Sequence, residues 1–146
     1  MATDTYCGPI DYVVFELPPG ARPAQGLRLL LDQVDRGAIV LLDLEVVGRS
    51  PEGTPQLLTL DALSDEGDEL AAAFDGASSG VLDSDDLAAV SESLAPGAIG
   101  IAIVYEDRSL AGVARAWQEQ GGAELWSGGI DIAALAHRLE TSEEEN

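Results

Sequence analysis

Apolar positions recur along this chain with two periods, and each switch between them marks a new element. From Asp11 to Leu17 (DYVVFEL) the period is two: Val13, Phe15 and Leu17 share one face, and Tyr12, Val14 and Glu16 the other. Alternation of β-branched and aromatic residues predicts a strand. Pro18-Pro19-Gly20 ends it, and Pro23 suits the first turn of a helix. Leu27, Leu30, Leu31 and Val34 then recur at helical spacing, and Gly37 closes that helix. Ala38 to Val47 returns to period two. Val40, Leu42, Leu44 and Val46 form one apolar face; Ile39, Leu41, Asp43, Glu45 and Val47 form the other. The turn from Arg49 to Thr54 leads into a hairpin partner over Gln56 to Asp61.

Residues 62–80 are acidic, small and glycine-rich, with a short helix expected around Leu70 to Phe74. A firmer helix is predicted over Ser84 to Leu94. Asp83 is placed to accept its first free N–H groups, and Leu82 and Leu87 hold the two positions of a hydrophobic staple. Asp85 and Asp86 suit the positive end of that helix. After Ala95-Pro96-Gly97, Ile99, Ile101, Ile103 and Tyr105 alternate with Gly100, Ala102 and Val104, predicting another strand. Asp107 or Ser109 is expected to cap the next helix, whose apolar stripe is Leu110, Val113, Ala114 and Trp117. Gly121-Gly122 ends it, a short strand from Ala123 to Ser127 follows, and a last helix covers about Asp131 to Leu139.

This order predicts an α+β fold: a ferredoxin-like split βαβ sandwich with an inserted hairpin strand and acidic helical segment, plus a C-terminal helix. Residues 1–8 read as a loose lead, 9–140 as one domain with an insert over about 49–95, and 141–146 as an acidic tail. Helices are expected on one face of the sheet. The open face is expected to carry Tyr12, Val14, Ile39, Leu41 and Trp126, with Gly100 and Ala102 between them, and to meet a second copy or another protein. The plainer alternative is that the final helix or the insert covers that face.

Composition narrows the partners. The chain has 146 residues, enough for one domain with its own core. It carries 27 acidic and 7 basic residues, a formal net charge of −20, and every basic residue is Arg. Such a surface repels phosphate backbones and anionic lipid, so neither nucleic acid nor a membrane surface is an expected partner. The arginine-only pattern, with abundant Ala and Gly, fits a GC-rich genome; a salt-loving host is the other explanation. Cys7 is the single cysteine, so no internal disulfide forms, which suits a reducing cytoplasm. No apolar run reaches the length of a membrane span.

Each chemical motif has a plainer reading beside it. Gly76-Ala77-Ser78-Ser79-Gly80 matches the G-x-S-x-G nucleophile elbow, but the elbow needs a strand before it and a helix after it. Here it follows a predicted helix, so a loop is expected and a hydrolase using Ser78 is the least favoured function. His137 is the only histidine and sits opposite Leu135 and Leu139, where solvent is the default. One His and one Cys cannot build a zinc site. The acidic clusters at Asp61–Glu69 and Asp83–Asp86 suggest a divalent cation. An EF-hand alignment on Gly67, however, puts Ala62 and Ala73 at ligand positions, and solvated or capping acids explain the clusters. With no lysine there is no phosphate-loop lysine, and no dinucleotide fingerprint is present. Trp117 fits its helix stripe, and Trp126 fits an interface or the core.

The run GVLDSDDLAAVSESLAPGAIGIAIVYED, then AWQEQGGAEL and the closing amphipathic helix (Gly80 to Leu139), resembles a family of bacterial domains of unknown function. GPIDYVVFELP and DRGAIVLLDLEVV resemble its soluble actinobacterial branch. The local marks are Leu94 to Gly97 before the strand and Gly121-Gly122 after the helix. The wider group often carries a glycine-zipper membrane segment where this chain has its acidic stretch 62–80. The resemblance implies the fold and supplies no catalytic residues. The expected function is a non-catalytic, oligomerising or regulatory interaction module without a cofactor, with a small-molecule sensor as the alternative.

Overall fold

The computed structural model of the protein describes residues 6–60 and 68–126. The elements are β1 (Ile10–Leu17), α1 (Ala24–Asp35), β2 (Ile39–Arg49), β3 (Pro55–Leu58), α2 (Asp68–Ala73), α3 (Ser84–Ser93), β4 (Ile99–Asp107) and α4 (Ala111–Gln118). The four strands form one open sheet in the order β1-β4-β2-β3, with every neighbouring pair antiparallel. β4 therefore lies between β1 and β2, the two strands joined through α1. Likewise β2 lies between β3 and β4, the two joined through α2 and α3.

The second βαβ unit differs from the expected one. Residues 123–126 form no strand, and Ser127 lies outside the described residues. After α4 the Gly122 N–H bonds back to the Trp117 carbonyl at 2.9 Å. The Glu124 carboxylate accepts the Cys7 N–H at 3.0 Å, so this stretch anchors the N-terminal segment instead of joining the sheet. The expected cap of α4 also changes. The Asp107 carboxylate accepts the Ser109 N–H at 2.9 Å and closes the turn before the helix, while Leu110 holds the cap position without a side-chain bond.

Helices lie on both faces, not one. On the first face Leu27 of α1 and Leu70 and Phe74 from the insert pack with Leu44, Ile101 and Ile103. On the second face Leu87, Val90 and Leu94, on and just after α3, pack with Val47 and Ala98. Gly100 makes that second contact feasible: a Cβ there would stand 3.1 Å from Val90 Cγ1 and 3.3 Å from Leu94 Cδ2. The α3 cap is as the sequence predicts. Asp83 accepts the Asp86 N–H at 2.8 Å, and Asp86 accepts the Asp83 N–H at 3.0 Å.

A β-bulge between Leu41 and Asp43 overturns half of the facing assigned to β2. The extra residue flips the alternation, so Leu41 opposes Tyr105 and Leu44 opposes Ile103, both on the first face. Ile39 and Leu41 consequently join the α1 side, and Leu41 packs against its core.

The N-terminal lead is tied down where it is described. The Arg108 guanidinium donates to the Tyr6 carbonyl at 2.9 Å, pairs with Glu106 at 3.0 Å and stacks 5.1 Å from the Tyr6 ring centroid. The Gly8 N–H adds a 2.8 Å bond to Glu106. Residues 1–5 and 61–67, and the stretch from 127 onward with the expected final helix, His137 and the acidic tail, lie outside the described residues.

Candidate functional site

The two long borders of the sheet are treated differently. β3 covers β2 only from Val46 to Arg49, so among the described residues the run before it has no strand on that border. The chain seals that run itself. The Leu44 N–H donates to the Ala77 carbonyl at 2.9 Å, and the Ser79 hydroxyl donates to the Leu42 carbonyl. Behind this clasp Asp43 is fully buried, and its carboxylate accepts the N–H groups of Ser79 (2.9 Å) and Leu82 (2.8 Å). The Ser78 hydroxyl donates to Glu45 at 2.7 Å. The loop thus carries the chain around the β2 border, from α2 on one face to α3 on the other.

Asp43 and Glu45 stand two residues apart on one face and share a hydrogen bond. Burial by itself raises the Asp43 carboxyl, but the N–H groups of Leu82 and Ser79 and the bond to Glu45 outweigh it and hold Asp43 below its ordinary value. Glu45 is pushed up, chiefly by burial and then by the Asp43 carboxylate beside it. Of the two, Glu45 is therefore the one that takes up a proton first as pH falls. No strand precedes Ser78 and no helix follows it directly, so the elbow geometry is not formed.

The β1 border is built the other way. Among the described residues, β1 has β4 as its only strand neighbour, in unbroken register from Ile10↔Glu106 to Leu17↔Ile99. The Pro9 carbonyl accepts from Asp107 on β4, so odd-numbered residues turn their backbone groups inward. The backbone groups of Ile10, Tyr12, Val14 and Glu16 then face outward. The Tyr12 N–H agrees with this, since it bonds the adjacent Asp11 carboxylate at 3.3 Å. Ile10, Tyr12, Val14 and Phe15 are all exposed, Tyr12 at 64%. An eight-residue strand with no proline or bulge and with exposed apolar side chains is a template for pairing. Beside it runs a groove of about 320 Å³ lined by Phe15, Leu17, Arg22, Leu27, Leu30 and Ile101 among others.

A second apolar surface lies at the far end of β4. α4 buries none of its residues; Trp117 and Trp126 are exposed, and both line a groove of about 300 Å³ with Tyr6, Leu110, Val113 and Leu125.

The residues assigned to the open face divide accordingly. Tyr12 and Val14 are exposed on one face, in line with Gly100 and Ala102 on β4, because Val14 opposes Ala102 and Glu16 opposes Gly100. Gly100 and Ala102 are buried, Gly100 beneath Val90 and Leu94. Ile39 and Leu41 belong to the opposite face, and Trp126 is not on the sheet at all. The sequence reading missed the Asp43–Glu45 clasp and the outward backbone of β1. Its available signals were the two carboxylates inside an otherwise apolar strand and the apolar run Tyr12 to Phe15.

Among the described residues no group of three His, Cys, Asp or Glu could hold a metal ion, and no helix is long and apolar enough to cross a membrane. Fold and site together define an α+β protein with a four-stranded antiparallel sheet, one border sealed by a loop and the other without a strand neighbour among the described residues. No protein-family model, curated protein or solved structure matches the chain.

Proposed function

We propose that the protein is a non-catalytic interaction module that docks an extended polypeptide strand against β1. The observation that carries this reading is the contrast between borders. The chain uses a loop, two serine hydroxyls and a buried carboxylate to seal β2, and leaves eight residues of apolar β1 unsealed among the described residues. Strand addition draws affinity from main-chain hydrogen bonds and specificity from alternate side chains, and β1 offers both. Of the ferredoxin-like plan, the feature that supports the reading is the split β1-α1-β2 connection, with β4 between its two strands and β1 at the rim.

The small-molecule sensor has less support. The cavity between the sheet and the insert, lined by Leu31, Val34, Leu41 and Phe74, is about 250 Å³. The α4 groove reaches about 300 Å³. Ligand sites run from roughly 300 to 1,000 Å³ and bring convergent polar groups together; the insert cavity falls short in volume, and the α4 groove, at the lower limit, is lined chiefly by apolar side chains.

The test is a titration with a fluorescent, lysine-flanked peptide of alternating valine and threonine, read by anisotropy. The unaltered protein binds it. Val14→Pro deletes an outward N–H while leaving the β4 ladder intact, and binding is lost. Leu29→Ala, at an exposed site on α1, binds as before. Equal binding by all three proteins removes β1 from the reading.

A further inference from the structure

We infer that the strand docked on β1 is β1 of a second copy, antiparallel and centred on Val13, so that two sheets join into one of eight strands. This rests on the strand-docking reading above and names its partner. Backbone parity limits the choice. The outward residues are even-numbered, so outward groups meet only when paired residue numbers sum to an even value. Sums of 26 and 28 overlap the strand equally, but a sum of 26, with Val13 opposite Val13 of the other copy, brings Ile10, Tyr12, Val14 and Glu16 all into bonding pairs, whereas 28 leaves Ile10 out. Tyr12 then faces Val14, Ile10 faces Glu16, and Asp11 faces Phe15, each twice about a two-fold axis.

The local character of the rim favours this partner, although the net charge of −20 opposes it. β1 carries two carboxylates, and the chain already engages both: Asp11 accepts the Tyr12 N–H, and Glu16 accepts the Ala95 N–H at 2.8 Å. The rim is locally apolar in a strongly acidic protein, and this suits an apolar strand better than a basic one. In the Val13-centred register no carboxylate opposes another. Asp11 of each copy lands beside Phe15 of the other, on the face where Arg22 lines the groove with Phe15 and Leu17. Tyr12 against Val14 is an aromatic–β-branched pair of the favourable kind. A single strand pair makes a small interface, so the dimer belongs to the reversible class and its fraction follows concentration.

The register fixes a cross-link. Val13 directs its own backbone groups toward β4, so Val13 and its counterpart form a non-hydrogen-bonded pair with Cα atoms about 4.5 Å apart, within disulfide reach. The experiment is sedimentation velocity on the whole chain across a concentration series, with oxidative cross-linking of Val13→Cys, Tyr12→Cys and Val14→Cys, each in a Cys7→Ser background. Unchanged near-ultraviolet circular dichroism shows that each variant folds. The expected result is a concentration-dependent dimer, disulfide-linked by Val13→Cys alone, with a mixed dimer of Tyr12→Cys and Val14→Cys when those two are combined. A dimer linked by Tyr12→Cys alone or Val14→Cys alone overturns the register. A protein that stays monomeric at every concentration but still captures the alternating peptide overturns the second copy and leaves strand docking standing. Failure of both assays overturns both readings.

Discussion

Asp43 and Glu45 sit on a sheet face, yet their most consequential contacts are with the loop that crosses the β2 border. Asp43 is itself fully buried and satisfies two part-buried loop N–H groups, and leaving a fully buried group of this kind unpaired costs about 1–3 kcal/mol. The two carboxyls respond to pH in opposite senses. Asp43 lies below its ordinary value of 3.8, so its contribution is present above that value and is lost as pH falls through its lower folded-state value. Glu45 lies above its ordinary value of 4.5, so the folded chain keeps a proton there that the unfolded chain releases. Raising the pH through that window therefore lowers stability. Glu45→Gln keeps a donor for Asp43 and an acceptor for Ser78 but does not titrate. Urea unfolding at a series of pH values is expected to show the variant more stable than the parent at pH 7, the difference shrinking as pH falls toward the ordinary carboxyl value of 4.5, with the acid-side loss due to Asp43 retained. Parallel profiles would remove the proton from Glu45. The two carboxylates stand out in the sequence, but their burial on one face with the loop does not, because the alternation around them reads without interruption. Only the backbone reveals the bulge at Leu42 that moves Leu41 to the other face.

At the scale of elements, three of the four helices and all four strands are legible in the periodicity, and α2 is legible as a short helix in an acidic stretch. Local chemistry explains the success: alternating β-branched runs, a helical stripe at Leu27 to Val34, and the Asp83 cap each specify one element without help from the rest. The errors lie where tertiary context decides. Ala123 to Trp126 has strand-like alternation but finds no partner strand, and α3 moves to the second face because Gly100 leaves room for Val90 and Leu94. That packing gives the α3 cap a reach beyond its own first turn. Asp83→Ala removes the carboxylate that accepts the Asp86 N–H and leaves the backbone half of the capping box in place, and guanidinium unfolding is expected to report a loss of about 1 kcal/mol. Asp85→Ala, which leaves the box intact, is expected to lose less than half of that through the helix dipole. Equal losses in the two variants would mean that the reciprocal bonds contribute nothing beyond charge.

For the molecule as a whole, the largest unbalanced quantity is its net charge of −20. With 7 arginines against 27 acids, most carboxylates have no cation to meet. The ion pairs the structure does form include Arg108 with Glu106 and an exposed helical pair, Arg36 with Asp32 at 3.7 Å. Exposed pairs of the latter kind contribute little. Self-repulsion is therefore a standing cost of the compact state, and it acts over distances that salt controls. The Debye length shrinks from about 30 Å at 0.01 M salt to about 3 Å at 1 M, well below the width of a small domain. Raising sodium chloride across that range is expected to raise the thermal midpoint at pH 7. Near the isoelectric point of about 4.1, where the repulsion is gone, the same titration is expected to leave the midpoint nearly flat. An equal rise at both pH values would assign the effect to salting-out of apolar surface. The same screening governs association: two copies meeting at β1 bring two −20 charges together, so dimer formation tightens with salt at pH 7 in step with the midpoint. A dimer that weakens with salt would instead be held by ion pairs, and the apolar rim of β1 would not be its contact.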